Sequence, residues 1–457
     1  MAINPQIFRE YDIRGIAGRD LDETAYECLG KAFVKYAQER NAVQRNTIVV
    51  GRDGRLTGPA YSAAFISGVT SCGMNVIDIG EVPTPLVYFG LFTLDVDGGA
   101  MITASHNPKE YNGMKVAIGK STIHGEQIQE LRKVAEAGDF PQAAAKGTVT
   151  KLDLVPAYTE RILEDVKLKR KLKIAVDGGN GVGGPVALPL YEKMGCEITS
   201  LYCDVDGTFP NHHPDPTVPE NVEELVQTVK RINADVGIAF DGDVDRLGAI
   251  DDEGNIIWGD RLLILFARSI LKKVPGATII GEVKCSRTLF EDIAKHGGNP
   301  VMWRTGHSLI KAAMKDYNAE VAGEMSGHMF FKNRWYGFDD AIYSGARLLE
   351  IVSQSDMSLS EMLADVPEMY STEETRIDTS ESRKFKLVED ARRYFQEDLG
   401  LNVNTIDGAR IEWPDGWGLL RASNTSPVLV MRAEATTPER LEEIRSLIMN
   451  KVNELNG

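Results

Sequence analysis

Three times along this chain an apolar run of strand length stops at a polar, turn-forming loop. Gly99–Ile102 leads into Thr103-Ala104-Ser105-His106-Asn107-Pro108. Val236–Phe240 leads into Asp241-Gly242-Asp243-Val244-Asp245-Arg246, and Glu320–Ala322 into Gly323-Glu324-Met325-Ser326-Gly327-His328. Short apolar runs alternating with helix-period stretches build βαβ units around parallel sheets. Ligands of such open sheets sit beyond the carboxyl ends of the strands. Three polar loops at equivalent places therefore predict three related α/β units facing a shared cleft. The units differ in length, so the repeat is one of structure and not of sequence.

The intervening segments fit that pattern. The first unit reads as strand Thr47–Val50, helix Pro59–Cys72 with proline in its first turn, strand Asn75–Ile79, helix Thr84–Thr93 and, after the polar loop, helix Gln127–Ala137. The second reads as strand Leu172–Val176, helix Gly184–Met194, strand Glu197–Tyr202 and helix Pro219–Asn233. The third reads as helix Asp260–Leu271, strand Thr278–Val283, helix Ser286–Lys295, strand Pro300–Trp303 and helix Ser308–Lys315. Beyond Val366-Pro367 the pattern changes to strand, helix, three strands and a last helix opening at Thr437-Pro438-Glu439. The expected fold is three related α/β domains plus a smaller C-terminal α+β domain around a central cleft. The expected divisions are 1–150, 151–251, 252–366 and 367–457, with Gln142–Gly147 as a linker.

The formal net charge of −16 repels polyanions, which excludes nucleic acid and anionic membrane as partners. No apolar run approaches the ~20 residues that span a bilayer. Met1-Ala2-Ile3-Asn4-Pro5 lacks the basic-then-apolar pattern of a secretory leader. The five cysteines are scattered without a CxxC and read as reduced thiols. The expectation is a cytoplasmic monomer acting on small molecules.

Taken alone, Ser105 reads as a turn or capping serine. Together with Asp241, Asp243 and Asp245 it reads as a hydroxyl able to hold a phosphoryl group beside a cation site. The three alternating carboxylates can converge on one hard cation, and an all-oxygen donor set suits Mg²⁺ rather than Zn²⁺. A calcium loop is excluded, because its sixth position is Arg246 instead of glycine and its twelfth is Asp252 instead of glutamate. Arg246 fits a clamp on a phosphoryl group. His106 supplies a proton carrier near neutrality, and Lys115 begins a strand-like run that can fold back toward Ser105. Glu324 and Ser326, two residues apart, suit sugar hydroxyls. Arg421-Ala422-Ser423-Asn424-Thr425-Ser426-Pro427 offers a guanidinium, hydroxyls and backbone N–H groups for a phosphate.

Three segments imitate other chemistries. Gly179–Gly184 fits a dinucleotide fingerprint, but Asn180-Gly181 favours a tight turn and Pro185 follows. Gly113–Ser121 approaches a P-loop with five residues between its glycines where four are needed. Asp204-Val205-Asp206-Gly207-Thr208 resembles the nucleophile motif of haloacid-dehalogenase phosphatases, although Phe209-Pro210 follows where that family has an apolar residue opening a lid segment. It defines the main rival reading, a hydrolase. A non-catalytic sugar-phosphate-binding protein is the other.

The whole set resembles the α-D-phosphohexomutase superfamily along essentially the entire chain. The resemblance includes Phe8-Arg9-Glu10-Tyr11-Asp12-Ile13-Arg14-Gly15, the four loops, and Lys284-Cys285-Ser286-Arg287 through Arg304-Thr305-Gly306-His307-Ser308. It implies an interconversion of hexose 1-phosphate and hexose 6-phosphate through hexose 1,6-bisphosphate, with one Mg²⁺ per chain. Ser105 would be the phosphoserine, and an oxygen of it would join Asp241, Asp243 and Asp245 on the metal. Arg14, Lys115, Arg246, Lys284, His307 and His328 would line the cleft, with Tyr11 at its wall. Glu324 and Ser326 would hold sugar hydroxyls. Arg421, Ser423, Asn424 and Thr425 would grip the non-reacting phosphate, and a hinge near residue 367 would open and close the cleft. Ala104 and Val244 stand where many relatives have glycine. Tyr11–Gly15, Met325 and Asn424 resemble the enzymes of mannose and glucose phosphates. Phosphoglucosamine mutases, the alternative, usually carry Ser-Gly-Thr in the fourth loop.

Overall fold

The computed structural model describes residues 3–423 and 427–456. Its strands form four sheets, and the first three share one four-strand pattern. In the first sheet, Thr47–Arg52 lies between Asn75–Glu81 and Gly98–Ile102, parallel to both, and Gly98–Ile102 turns back into antiparallel Tyr111–Ile118. In the second, Lys173–Asp177 lies between Glu197–Leu201 and Val236–Phe240, which turns back into Leu247–Ile250. In the third, Thr278–Glu282 lies between Asn299–Trp303 and Val321–Gly323, which turns back into Met329–Phe331. Each polar loop is thus the short connection between a parallel-paired strand and its antiparallel neighbour. The three strands that precede these loops are buried at every position. That is why they appear in the sequence as continuous apolar runs.

The first sheet extends at both edges, with Ile13–Ile16 against Tyr111–Ile118 and Val149–Lys151 against Asn75–Glu81. Gln142–Gly147, expected as a linker, leads directly into that last strand. The C-terminal sheet is antiparallel, ordered Tyr370–Ser371, Val428–Ala435, Gly416–Ala422, Ala409–Trp413, Asn402–Asn404. The helices Lys384–Arg393 and Pro438–Asn456 pack against it.

One apolar core joins the first three units. Helix Ala341–Ser353 is buried at all but one position and runs through its centre. Phe89 of the first unit meets Tyr158 edge-on at 5.5 Å, and Trp335 stacks on Tyr343 at 4.2 Å. The C-terminal unit has its own core. It grips the third unit through Arg410, which donates to the carbonyl of Cys285 at 2.9 Å, and Arg432, which donates to that of Lys284 at 2.7 Å. Among the described residues no helix is long and apolar enough to cross a membrane.

Candidate active site

Ser105 follows the buried strand Gly98–Ile102 and is itself buried, with φ = 51°, in the left-handed region that side chains other than glycine rarely adopt. Its N–H donates to Thr103 Oγ1 at 2.8 Å, and its Oγ donates to Asp241 Oδ2 at 2.8 Å and lies 3.0 Å from His106 Nδ1. Burial, and then the positive charges of Arg246 and Arg14, push the His106 pKa well below its ordinary value, so the ring is neutral.

Asp241, Asp243 and Asp245 are fully buried and converge, with ligand atoms within 4.8 Å of one another. Asp241 Oδ1 accepts the N–H groups of Asp245 and Arg246, each at 3.1 Å. Asp243 Oδ2 accepts from Thr84 Oγ1 at 2.6 Å and from Lys115 Nζ at 2.7 Å, and Lys115 also pairs with Asp245. Burial disfavours charge on both Lys115 and Asp243, but their mutual attraction outweighs it, and each is held charged. The Asp241 carboxyl is pushed up by burial and by the charges of Asp245 and Asp243. Asp243 Oδ1 and Asp245 Oδ1 are buried without a hydrogen-bond partner. Orphaned carboxylate oxygens in an anion-rich, all-oxygen cluster fit a divalent cation such as Mg²⁺. Val244, between two of these carboxylates, has φ = 69°. Glycine would adopt that conformation without strain, and Val244 keeps it while buried in the core.

The loop Asp241–Arg246 is stitched to the third unit. Arg246 and His328 form a β-bridge, Leu247 N–H donates to the Gly327 carbonyl at 3.0 Å, and Arg246 Nε donates to His328 Nε2 at 3.1 Å. Glu324 accepts from the Gly306 N–H at 2.6 Å and from Ser326 Oγ at 3.2 Å. His307 stacks on His328 at 5.6 Å, Tyr11 meets His307 edge-on, and the Tyr11 hydroxyl donates to the Thr305 carbonyl at 2.9 Å. Burial and the Lys311 charge hold the His307 pKa well below its usual value. Arg14 donates to Asn107 Oδ1 at 2.5 Å and pairs with Asp12, beside the Ser105 loop.

The fourth unit closes the ring. Arg421 Nε donates to Asp407 Oδ2 at 3.0 Å, and the same oxygen accepts the Thr305 N–H at 3.1 Å. The Ser423 carbonyl accepts from Lys384 at 2.7 Å. Asn424 and Thr425 lie outside the described residues. An unbroken series of contacts therefore joins Ser105, Asp241, Arg246, His328, Glu324, Gly306, Thr305, Asp407 and Arg421. Lys284 sits to one side of it, 3.7 Å from Glu282 and 3.4 Å from Glu374.

Several groups here escape a reading of the sequence. Asp339 lies among His307 at 3.6 Å, His328 at 3.4 Å and Lys311 at 2.9 Å. Asp340 alone caps the following helix, its Oδ1 accepting from the Tyr343 N–H at 2.9 Å, so two adjacent acids before an apolar helix were a signal that one had other work. Buried Glu282 accepts the Met325 N–H at 3.2 Å and the Thr305 hydroxyl, joining the loop after Val321–Gly323 to the segment after Asn299–Trp303.

The imitating segments have other uses. Asp204 is exposed, and Asp206 Oδ1 accepts the N–H and hydroxyl of Thr208 at 2.9 and 2.7 Å, an ordinary Asx turn. Gly181 packs directly on the Gly242 backbone, so the glycine-rich turn abuts the Asp241–Arg246 loop and leaves no room there for a dinucleotide.

Four domain families match the chain in order. They are the phosphoglucomutase/phosphomannomutase α/β/α domains I, II and III, over residues 5–142, 156–254 and 258–370, and the C-terminal domain of the same proteins, over 374–451. The chain is 48% identical over 452 residues to a phosphomannomutase/phosphoglucomutase of Pseudomonas aeruginosa, covering 99% of this chain and 96% of that protein. It is also 48% identical over 446 residues to a phosphoglucomutase of Neisseria gonorrhoeae, covering 97% and 96%. A crystal structure of a phosphoglucomutase/phosphomannomutase family protein from Burkholderia thailandensis superposes with a TM-score of 0.92 at 44% identity, covering 99% of this chain and 98% of that one.

Proposed function

The chain belongs to the phosphoglucomutase/phosphomannomutase family of the α-D-phosphohexomutase superfamily and is an intramolecular phosphotransferase; from that premise we propose that it interconverts the 1- and 6-phosphates of mannose and glucose through phosphorylated Ser105 and a hexose 1,6-bisphosphate. The observation that carries this reading is the 2.8 Å contact between Ser105 Oγ and Asp241 in a buried carboxylate triad with two orphaned oxygens. On the same reading the four domains divide at residues 150, 251 and 366, and a hinge near residue 367 moves the fourth.

Phosphorylated Ser105 gives its phosphoryl group to O6 or O1 of a hexose monophosphate. The Ser105 Oγ–P bond breaks as the sugar O–P bond forms, and the proton of the accepting hydroxyl passes by way of His106, whose Nδ1 lies 3.0 Å from Ser105 Oγ, to the departing serine oxygen. Lys115, held charged by two carboxylates, acts by charge and not as a base. Arg246 and Arg14 bring further positive charge to the transferring group. Asp241, Asp243 and Asp245 would hold Mg²⁺, which when bound offsets negative charge on that group. Glu324 and Ser326 hold sugar hydroxyls. Arg421, Ser423, Asn424 and Thr425 hold the other phosphate, with Lys284, His307, His328 and Tyr11 around the sugar. The bisphosphate turns over in the cleft and returns its other phosphoryl group to Ser105, releasing the isomeric monophosphate.

The test is turnover of mannose 1-phosphate and glucose 1-phosphate with Mg²⁺ and a trace of glucose 1,6-bisphosphate. Both sugars are converted, and Ser105→Ala loses at least about 10⁴-fold in kcat. Unchanged turnover by Ser105→Ala overturns the reading.

A further inference from the structure

We infer that Arg55 is a positioning residue for this reaction, the template that holds the Ser105 loop in its reactive shape. Arg55 ends the sequence Arg52-Asp53-Gly54-Arg55 at the close of the first unit's central strand, and it is 1% exposed. A guanidinium carries five N–H donors in a rigid planar fork, and all five are used. Nε donates to Asp53 Oδ2 at 3.2 Å. Nη1 donates to the carbonyls of Pro108 and Tyr111 at 2.8 and 2.9 Å, and Nη2 to those of Ser105 and Asn107 at 2.7 and 2.6 Å. One side chain thus gathers four main-chain carbonyls of residues 105–111. Asp53 anchors it from behind and also accepts the Arg55 N–H at 3.0 Å.

The loop needs such a template. Ser105 is held at φ = 51°, a strained conformation that a non-glycine residue keeps only where its surroundings over-determine it. Its buried carbonyl requires a donor. The same carbonyl is the surface on which the metal loop rests, since a Cβ added to Gly242 would lie 2.7 Å from it. Arg55 therefore fixes the atom that sets the distance between Ser105 and Asp241.

The second unit covers Arg55 from the other side. A Cβ on Gly207 would lie 2.4 Å from the Gly54 carbonyl oxygen and 3.0 Å from the Arg55 Cα, and the Phe209 ring centre is 5.4 Å from the guanidinium carbon, within cation–π range. The segment that imitates a phosphatase nucleophile is thus the cover of this template. All five bonds of Arg55 go to the loop and its anchor, so it acts on the reaction through Ser105.

This inference rests on Ser105 being the phosphoryl carrier, and the experiment separates the two claims. Full-length wild type and Arg55→Lys are dephosphorylated and given glucose 1,6-bisphosphate, and the rate of Ser105 phosphorylation is followed by intact mass and peptide mapping. Melting temperature and the kcat and KM for mannose 1-phosphate are measured alongside. Lysine keeps the charge, but its three donors radiate from one point and cannot span four carbonyls. A misplacement near 1 Å costs roughly 10²-fold. The expected result is a fall of about 100-fold in phosphorylation rate and kcat, with KM within about threefold of wild type. A purely structural role would lower the melting temperature and leave the rate of the folded protein unchanged. If Arg55→Lys does not fold, Asp53→Asn is read in its place. It offers one oxygen to two Arg55 donors and is expected to lose about tenfold. Phosphorylation within threefold of wild type in the variant read overturns the role of Arg55. Wild type that takes no phosphoryl group on Ser105 overturns the proposed carrier and this inference together.

Discussion

Replacing Asp340 with asparagine should make the protein more stable, and increasingly so as pH rises. Asp340 caps helix Ala341–Ser353 and accepts the Tyr158 hydroxyl at 2.7 Å, so it ties the shared core together. It is buried, and burial raises its pKa from 3.8 to about 7 despite bonds from the Tyr343 N–H and Tyr158. The folded-state value lies above the unfolded one, so the native state holds the proton more tightly. The stabilisation from that proton is complete below about pH 4 and is lost as pH rises through about 7. At 1.36 kcal/mol per pKa unit, the wild type loses about 3 kcal/mol from this group between pH 5 and pH 8. The asparagine side chain in Asp340→Asn would keep an acceptor for Tyr343 and Tyr158 and would not titrate. Groups remote from Asp340 titrate equally in both proteins and cancel in the difference. The stability gap in favour of Asp340→Asn therefore opens by about 3 kcal/mol from pH 5 to pH 8, or roughly 3–4 °C in melting temperature for a cooperative unit of this size. The assay is thermal unfolding of both proteins at half-unit steps of pH. Melting curves that shift in parallel, with a constant gap, would mean that buried Asp340 does not titrate between pH 5 and pH 8.

Arg421→Ala should raise KM for a hexose monophosphate by about 10- to 100-fold and change kcat far less, because its charge would grip the phosphate that does not react; steady-state kinetics with an unaltered KM would count against the fourth-unit phosphate site. Asp245→Asn removes a charge from the triad and should raise the Mg²⁺ concentration for half-maximal turnover at least about tenfold, and chelation should abolish wild-type turnover. Full activity in excess chelator would sink the metal assignment. Gly68→Ala would place a Cβ 2.1 Å from the Glu27 carbonyl oxygen, where helices Glu23–Glu39 and Gly58–Ser71 touch. It should destabilise by about 1–3 kcal/mol in denaturant melts and leave KM unchanged.

The strands that matter most for the site were legible because topology buries them on both faces. Val236–Phe240, with the helices Thr84–Thr93 and Gly184–Met194, has in the structure the ends that its residues suggest. Of their antiparallel partners, the run through Lys115 showed itself, but Leu247–Ile250 and Met329–Phe331 did not. Met329–Phe331 is three residues long, and nothing local distinguishes it from a loop until Val321–Gly323 pairs with it. Helix Ala341–Ser353 carries a polar stripe, Ser344, Arg347, Glu350 and Ser353, that suggests an exposed face, yet the stripe is buried as well. The stretch Pro219–Asn233 reads as one helix but divides into a 3₁₀ turn, Pro219–Val222, and an α-helix, Glu223–Ile232. The site divides in the same way. Ser105 and the three aspartates lie in contiguous motifs whose spacing expresses their chemistry. Arg55, Glu282, Lys311 and Asp339 stand singly in ordinary segments, and only the fold brings each to the layer behind the cleft wall.

In a mutase, phosphate moves between positions of one sugar without passing to water. Mannose 1-phosphate incubated with the protein, Mg²⁺ and a trace of glucose 1,6-bisphosphate can be followed by phosphorus NMR. The mannose 6-phosphate resonance should grow at the expense of the 1-phosphate, to a constant ratio, with no inorganic phosphate. Inorganic phosphate appearing in place of the 6-phosphate would contradict it.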